Sequence, residues 1–115
     1  MITLINKKDI IGINKEVGES GALQNPGSLD YSLSISQQKK SWLYELAYLS
    51  RSLLVDHAFR DGNKRTSLVV ALLFIKDRGL IYDKDKLVKV IWQISKKNVS
   101  DINKLARMIK SAIDT

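Results

Sequence analysis

The sequence predicts an all-α fold: a compact bundle of about five or six helices with one short flap, either a hairpin or a loop. Apolar residues recur at helical spacing along most of the 115 residues. Residues that favour helix N-termini precede these stretches. Three of the six glycines and the only proline lie in one segment, residues 18–36. A chain of this length is predicted to form one domain, residues 1–115.

The first helix is predicted from its N-cap and its apolar face, and the second from its apolar face. Asn6 is a good N-cap, and the helix after it is predicted to run to about Val17, with the apolar positions 10, 13 and 17 on one face. A longer helix is predicted from Trp42 to Leu54, because apolar residues fall at 42, 43, 46, 47, 49, 53 and 54. That spacing is typical of an amphipathic helix.

The run from Leu68 to Ile75 is apolar on every side. Eight such residues suit a buried strand as well as a buried helix, so periodicity alone leaves both open. Lys76 and Arg78 near the end of the run, followed by Gly79, favour a buried central helix.

Two further helices are predicted in the last third of the chain. Asp83 is expected to cap the first, and Ser100 the second. The inward residues are expected to be Leu87, Val88, Ile91 and Ile94 in the first, and Ile102, Leu105, Ala106, Ile109 and Ile113 in the second.

The segment from Gly18 to Ser36 breaks the helical pattern. Its glycines and proline, with alternating Tyr31, Leu33 and Ile35, predict an irregular loop or a short hairpin. Ordered segments of this kind are uncommon in a small helical domain and are often functional, although a mobile surface loop is the plain alternative.

Composition excludes several classes of protein. The chain has no cysteine, which rules out disulfides and thiolate zinc sites. No apolar run reaches the length of about 18 residues that a membrane span needs, and the N-terminus lacks a signal-peptide pattern, so a cytoplasmic location is predicted. A net charge of +7 favours acidic partners, but basic pairs at 7–8, 39–40 and 96–97 alternate with acids and also suit a solvated surface.

The richest chemistry lies in residues 57–66, which combine an imidazole, a carboxylate, an amide, a hydroxyl and several cations. Because an apolar element follows directly, these residues are expected to form a loop at a helix N-terminus, where backbone N–H groups can hold an anion. His57 is the only histidine, and histidine is the residue type whose ordinary pKa lies near neutrality. It is therefore the candidate general base.

The neighbours of His57 suit a phosphate site. Asp61 can bind Mg²⁺ together with phosphate oxygens, although Asp-Gly is also a plain turn signal. Gly62 permits a positive φ and close approach of a phosphate. Asn63 can cap the following helix, and its amide, with the N–H groups after it, is expected to form an anion hole. Phe59 is expected to anchor the loop in the core.

Lys64 and Arg65 are predicted to lie in the first turn of the apolar helix. Cations there oppose the helix dipole, so their placement favours phosphate binding over stability. Arg65 can bind phosphate oxygens through two hydrogen bonds, and Lys64 acts as a point charge.

The run from His57 to Thr66, His-Ala-Phe-Arg-Asp-Gly-Asn-Lys-Arg-Thr, resembles the active-site motif of the Fic/Doc family, in the form that the Doc (death-on-curing) toxins carry. The resemblance implies a Fic-type helical bundle that binds ATP and Mg²⁺. It implies a target protein, with elongation factor Tu suspected, and an antitoxin supplied in trans, while membranes and nucleic acid are not expected partners. The implied catalytic residues are His57, Asp61, Asn63 and Arg65. The implied phosphate-binding residues are Gly62, Asn63, Lys64 and Arg65, and the implied metal ligand is Asp61. The implied residues of a flap that docks the target are Gly21, Ala22, Leu23, Tyr31 and Leu33.

Two positions differ from the family members that transfer AMP, which have Pro after the histidine and Gly after the asparagine. Here Ala58 and Lys64 stand there. The leading hypothesis is therefore a Doc-like kinase that moves the γ-phosphate of ATP to a Ser or Thr hydroxyl. AMP transfer by the same site is the first alternative, and a catalytically idle basic module that binds nucleic acid or protein is the second. The spacing from Ser41 to Glu45 matches part of the family's self-inhibitory signature, but Leu46 ends it, and the match is interpreted as coincidental.

Overall fold

The computed structural model describes residues 5–36 and 41–114. Most of the N-terminal stretch considered for a signal peptide and the basic pair at 39–40 lie outside these ranges. The described ranges contain six helices: α1 Lys7–Glu16, α2 Pro26–Ser36, α3 Trp42–Leu54, α4 Asn63–Asp77, α5 Lys84–Lys97 and α6 Ile102–Lys110. One antiparallel pairing of two-residue strands joins β1 Ile81–Tyr82 to β2 Ile113–Asp114. The predicted all-α class is confirmed.

Helix α3 lies at the centre of the bundle, where it packs against α2, α4 and α6. Helix α1 packs on α4, and α5 packs on α4 and α6. The core is apolar and continuous, and its fully buried large side chains include Ile10, Leu29, Leu46, Leu53, Phe59, Ile75, Leu87, Ile91 and Leu105. Since α3 and α4 are consecutive, the loop that joins them starts and ends in this core.

The two helices predicted from strong local signals form as expected. At the start of α1, the Asn6 side chain accepts from the N–H of Asp9, and the Asp9 carboxylate accepts from the N–H of Asn6. This reciprocal pair satisfies two N–H groups that the helix itself leaves unpaired. Helix α3 has the predicted bounds, and the Ser41 side chain caps it by accepting from the N–H of Tyr44.

The apolar run after the motif is helical, as the favoured interpretation predicts. Helix α4 ends where Gly79 takes a φ of +63°, which lets its N–H reach the Lys76 carbonyl and the Leu80 N–H reach that of Ile75. These two bonds form a Schellman C-terminus. Burial on every side is wrong, because Leu73 is 47% exposed. The helices that pack on α4 do not cover the face on which Leu73 lies.

Small errors occur in the last third of the chain. Asp83 caps α5 as predicted, but Val90 is buried there and Val88 only half-buried. Asp101, not Ser100, caps α6, and its side chain accepts from the N–H of Lys104. Both residue types are good N-caps, so the sequence did not discriminate between adjacent candidates. Ile113 lies in β2 instead of on the last helix.

The hairpin or loop predicted for residues 18–36 is wrong over its second half, which forms helix α2. Pro26 occupies the first helical position, where its missing N–H costs nothing. The buried residues Leu29, Ser32 and Ile35 follow helical spacing. The alternation of apolar residues at 31, 33 and 35 was therefore misleading.

Candidate active site

The motif loop, residues 55–62, follows α3 and is held in place by two of its own residues, which are buried in the core. Ala58 and Phe59 are both fully buried, and the Ala58 N–H donates to the Ser52 carbonyl at 3.0 Å. His57, just before them, is exposed and has a φ of +51°. A residue with a Cβ pays about 1 kcal/mol in this left-handed region. Burial of the two residues after His57 holds it there.

Asn63 closes the motif loop. Its Nδ2 donates to the Phe59 carbonyl at 2.9 Å, and its Oδ1 accepts from the Phe59 N–H at 3.0 Å. The expectation that Asn63 caps α4 is wrong, because it is the first helical residue and Gly62 is the cap. Both ends of its amide bond to buried main-chain groups that need partners, and its part in an anion hole stays a prediction.

The N-terminus of α4 keeps its own backbone donors open. Gly62 has a φ of +76° and provides no side-chain cap. The first intrahelical bond among the motif residues runs from the Thr66 N–H to the Gly62 carbonyl. The N–H groups of residues 63–65 have no acceptor within the helix, and this end of the helix has a partial positive charge. These backbone N–H groups are therefore available to an anion at this end of the helix.

A cleft of about 370 Å³ opens beside this helix end. Its lining residues are His57, Arg60, Asp61, Gly62, Asn63, Lys64, Arg65, Trp92 and Ser95. The structure thus brings together all the residues predicted for catalysis and phosphate binding, while Phe59 lies beneath them in the core. Three cations and one carboxylate line the cleft, so it favours an anionic ligand.

The flap, residues 18–25, lies against the motif loop. The Arg60 N–H donates to the Ala22 carbonyl at 3.1 Å, and the Gln24 N–H donates to the Ala58 carbonyl at 2.7 Å. These bonds flank an antiparallel bridge between Leu23 and Phe59. In this pattern, the N–H and C=O of Leu23 point away from the motif loop.

Only part of the predicted flap lies at the site. Gly21, Ala22 and Leu23 are beside the motif loop, but Tyr31 and Leu33 belong to α2, so their predicted place on the flap is wrong. Tyr31 packs edge-on against Tyr48 of α3, with ring centroids 6.2 Å apart.

A protein-family model described as the Fic/DOC family matches residues 17–75. The chain belongs to the Fic/DOC family. The matched part contains the flap, α2, α3, the motif loop and nearly all of α4. No curated protein matches the chain. Family membership supports a transferase that moves a nucleotide-derived group onto a protein.

Two cleft residues of this Fic/DOC protein come from α5 and were missed by sequence reasoning. Trp92 is 40% exposed, and the Lys64 Nζ lies 5.7 Å from the centroid of its ring. Ser95 lies one turn further along. A signal was present, because Trp92 is a large apolar residue outside the inward positions predicted for that helix.

Glu19 on the flap was also missed. Its carboxylate pairs with the Arg65 guanidinium, which is exposed over about half of its surface. A Cβ added to Gly62 would lie 2.5 Å from the Glu19 Cγ, so glycine is needed at position 62 for this approach as well as for its φ. An anion arriving at Arg65 has to compete with this carboxylate. No spacing in the sequence indicates a contact across 46 positions.

Asn14 of α1 joins three parts of the site. Its Nδ2 donates to the Asp61 carbonyl at 3.0 Å and to the Thr66 Oγ1 at 3.1 Å, and its Oδ1 accepts from the Gly21 N–H at 2.9 Å. The side chain is buried. Its signal in the sequence was an amide next to the apolar face of the first helix.

The described residues contain no group of three or more side chains that could together hold a metal ion. Asp61 is the carboxylate that lines the cleft. Mg²⁺ commonly uses one or two protein carboxylates and takes its remaining oxygens from phosphates and water. The cleft therefore fits Mg²⁺ that binds together with a nucleotide.

None of the described helices combines the length and apolar character needed to cross a membrane.

Proposed function

We propose that this Fic/DOC protein is a Doc-like kinase that transfers the γ-phosphate of ATP to a Ser or Thr hydroxyl of a target protein. The observation that carries this proposal is Lys64, whose ammonium lies in the cleft between the motif and Trp92. A side chain of this size and charge occupies room that glycine leaves open in family members that transfer AMP. The Lys64 ammonium favours a pose of bound ATP in which the γ-phosphate lies nearest His57.

The proposed chemistry needs one base and one set of phosphate contacts. His57 accepts the proton of the target hydroxyl as its oxygen bonds to the γ-phosphorus, and the bond to the bridging oxygen breaks to release ADP. The N–H groups at the start of α4 and the Arg65 guanidinium hold phosphate oxygens. Arg65 exchanges its Glu19 carboxylate for phosphate. Asp61 would hold Mg²⁺, which neutralises phosphate charge when bound.

The flap offers a place for the target. Since the N–H and C=O of Leu23 point away from the motif loop, an extended target chain can add to this edge as a further strand. That placement brings a hydroxyl beside His57. The family resemblance makes elongation factor Tu the suspected target in the cytoplasm, with block of translation as the outcome and an antitoxin from another chain as the restraint.

The deciding experiment follows the two ends of the phosphate chain. Lysate is incubated with the protein, Mg²⁺ and ATP labelled at either the γ- or the α-phosphate, and the modified protein is weighed intact. A γ-label with a gain of about 80 Da supports the kinase, whereas an α-label with about 329 Da shows AMP transfer. Neither label on any protein, together with salt-sensitive RNA binding, would favour the idle basic module.

Lys64→Gly tests the role of the ammonium directly. We expect weaker γ-phosphate transfer and some AMP transfer, because bulk and charge leave the phosphate end of the cleft. Lys104→Gly is the matched control, since Lys104 is an exposed lysine in the first turn of α6, outside the cleft. Equal γ-transfer by Lys64→Gly and wild type would remove the basis for preferring a kinase.

A further inference from the structure

The α5 side of the cleft has no role in the chemistry proposed above. Trp92 and Ser95 are three residues apart, so they are neighbours on one face of the helix. Both line the cleft, whereas Leu87, Ile91 and Ile94 of the same helix are buried in the core. Trp92 is thus held at the cleft wall with 40% of the residue's surface exposed to solvent.

The two sides of the cleft differ in chemistry. The motif side provides cations and the N-terminus of α4, which suit phosphate. The α5 side provides a flat aromatic ring with a hydroxyl next to it, which suits a flat heterocycle with polar edges. A ligand with an anionic end and a planar end matches both sides at once, and a nucleotide has this composition.

Lys64 connects the two sides. Its Nζ lies 5.7 Å from the Trp92 ring centroid, which is at the far limit of a cation–π contact. A hydrogen bond between this ammonium and a phosphate is stronger than such an exposed cation–π contact. Phosphate binding therefore draws Lys64 off the ring, and the ring face becomes free to stack.

We infer that Trp92 is the stacking platform for the nucleobase, with Ser95 beside it at the base or sugar edge. The inference rests on the proposed function, because it assumes that a nucleotide occupies the cleft. It makes Trp92 a specificity-determining residue that selects a nucleoside polyphosphate over a bare polyphosphate.

Binding measurements on the whole chain test this inference. Dissociation constants for ATP and for inorganic tripolyphosphate, each with Mg²⁺, are compared in wild type, Trp92→Leu and Trp92→Phe. We expect Trp92→Leu to weaken ATP binding roughly tenfold and to leave tripolyphosphate unchanged, with Phe retaining most of the ATP affinity. Trp42→Leu is the matched control, because Trp42 lies under Arg78 outside the cleft and should change neither constant.

Fluorescence provides a second readout that needs no change at Trp92. The chain has two tryptophans, so only Trp92 emits as tryptophan in Trp42→Phe. ATP should quench this emission and tripolyphosphate should not.

The outcomes separate the two proposals. Unchanged ATP affinity in folded Trp92→Leu, an equal loss for both ligands, or no quenching by ATP in Trp42→Phe would overturn the stacking role and leave the kinase proposal standing. If wild type binds neither ligand, the nucleotide itself is excluded, and both proposals fall together.

Discussion

His57 combines an exposed imidazole with a backbone conformation that a Cβ disfavours. The residues that follow it are buried, so the chain cannot relax this φ without moving Phe59 out of the core. Left-handed conformations of non-glycine residues concentrate at functional sites, where the surroundings hold them in place. Strain at this position is what we expect if the imidazole has to project into the cleft.

Substitutions of His57 separate its chemical role from its conformational cost. We expect His57→Ala and His57→Gly both to lose phosphotransfer by roughly 10²-fold or more, since each removes the base. His57→Gly should have a free energy of unfolding about 1 kcal/mol higher than His57→Ala, because glycine accepts the positive φ. Rates and urea unfolding curves measure both. More than a tenth of the wild-type rate in either variant contradicts the assignment as base.

Asn14 of α1 and Ser67 of α4 are both buried polar residues, and they differ in whether the side chain is hydrogen-bonded. Asn14→Ala leaves three partners unsatisfied and should lower the free energy of unfolding by about 2 kcal/mol. Within the described part of the chain, the buried Ser67 hydroxyl has no hydrogen-bond partner. Ser67→Ala should therefore be neutral or stabilising. A change near zero in Asn14→Ala, like the one expected for Ser67→Ala, would mean that the Asn14 hydrogen bonds contribute little.

At the residue scale, sequence reasoning grouped residues that are contiguous in the chain, and their roles stay predictions. His57 and residues 60–65 line one cleft because they belong to one loop and one helix start. Asn14, Glu19 and Trp92 reach the same place from α1, the flap and α5, through packing that no local pattern encodes. The error at Asn63 was one of partner choice, since a good cap residue can also bond to nearby main chain.

Helix α3 contains an acid whose setting is partly apolar. Burial raises the pKa of the Glu45 carboxyl above its ordinary value near 4.5, and the nearby Arg78 charge offsets part of that rise. Glu45 lies in the first turn of α3, whereas the motif loop follows the last. This placement agrees with the interpretation that the Ser41–Glu45 spacing is coincidental.

Glu45→Gln should make stability less sensitive to pH. A carboxyl with a raised pKa in the folded state contributes most below its ordinary pKa, and the contribution is lost as pH rises through the raised value. The variant should therefore be more stable than wild type at pH 7 and equally stable near pH 3, and the difference should be small because solvent screens this partly exposed carboxyl. Urea unfolding at both pH values measures this, with Glu16→Gln on the exposed face of α1 as control. An equal gain at both pH values would point to a cause other than ionisation.

Strand addition at the flap can be tested independently of ATP binding. Leu23→Pro removes the N–H that points away from the motif loop, and Leu23→Ala keeps it while losing the same side chain. We expect proline to reduce modification of the target several-fold more than alanine, with ATP affinity similar in both. Equal target modification by the two variants would exclude strand addition at this edge.

Element bounds were predictable where local signals are strong. Asn6 as an N-cap and the apolar spacing from Trp42 to Leu54 predict helices that the structure reproduces as α1 and α3. Helix α2 was not predicted, because the glycines, the proline and a chance alternation of apolar residues were interpreted as signs of a loop or hairpin. The same proline also suits the first position of a helix. The pairing of β1 with β2 was beyond local reasoning, since each strand has two residues and their partners are 31 to 33 positions apart.

At the scale of the whole molecule, the central position of α3 couples the site to the rest of the bundle. This helix packs on α6 as extensively as on any other element, although α6 has no residue in the cleft. The overall charge of +7 provides a general attraction for anions, but the cleft localises it by placing three cations around one helix start.

The hydrogen bonds of Asn14 bear on how the domain can be divided. The family match begins at residue 17, so this amide lies upstream of the region that defines the family. A fragment containing only residues 17–75 would lack it, together with the helices that cover α3 and α4. We expect such a fragment to be largely unfolded by circular dichroism, so the unit that is recognisable by homology is smaller than the unit that is autonomous. Grafting the motif into another scaffold would require a surrogate for this one side chain.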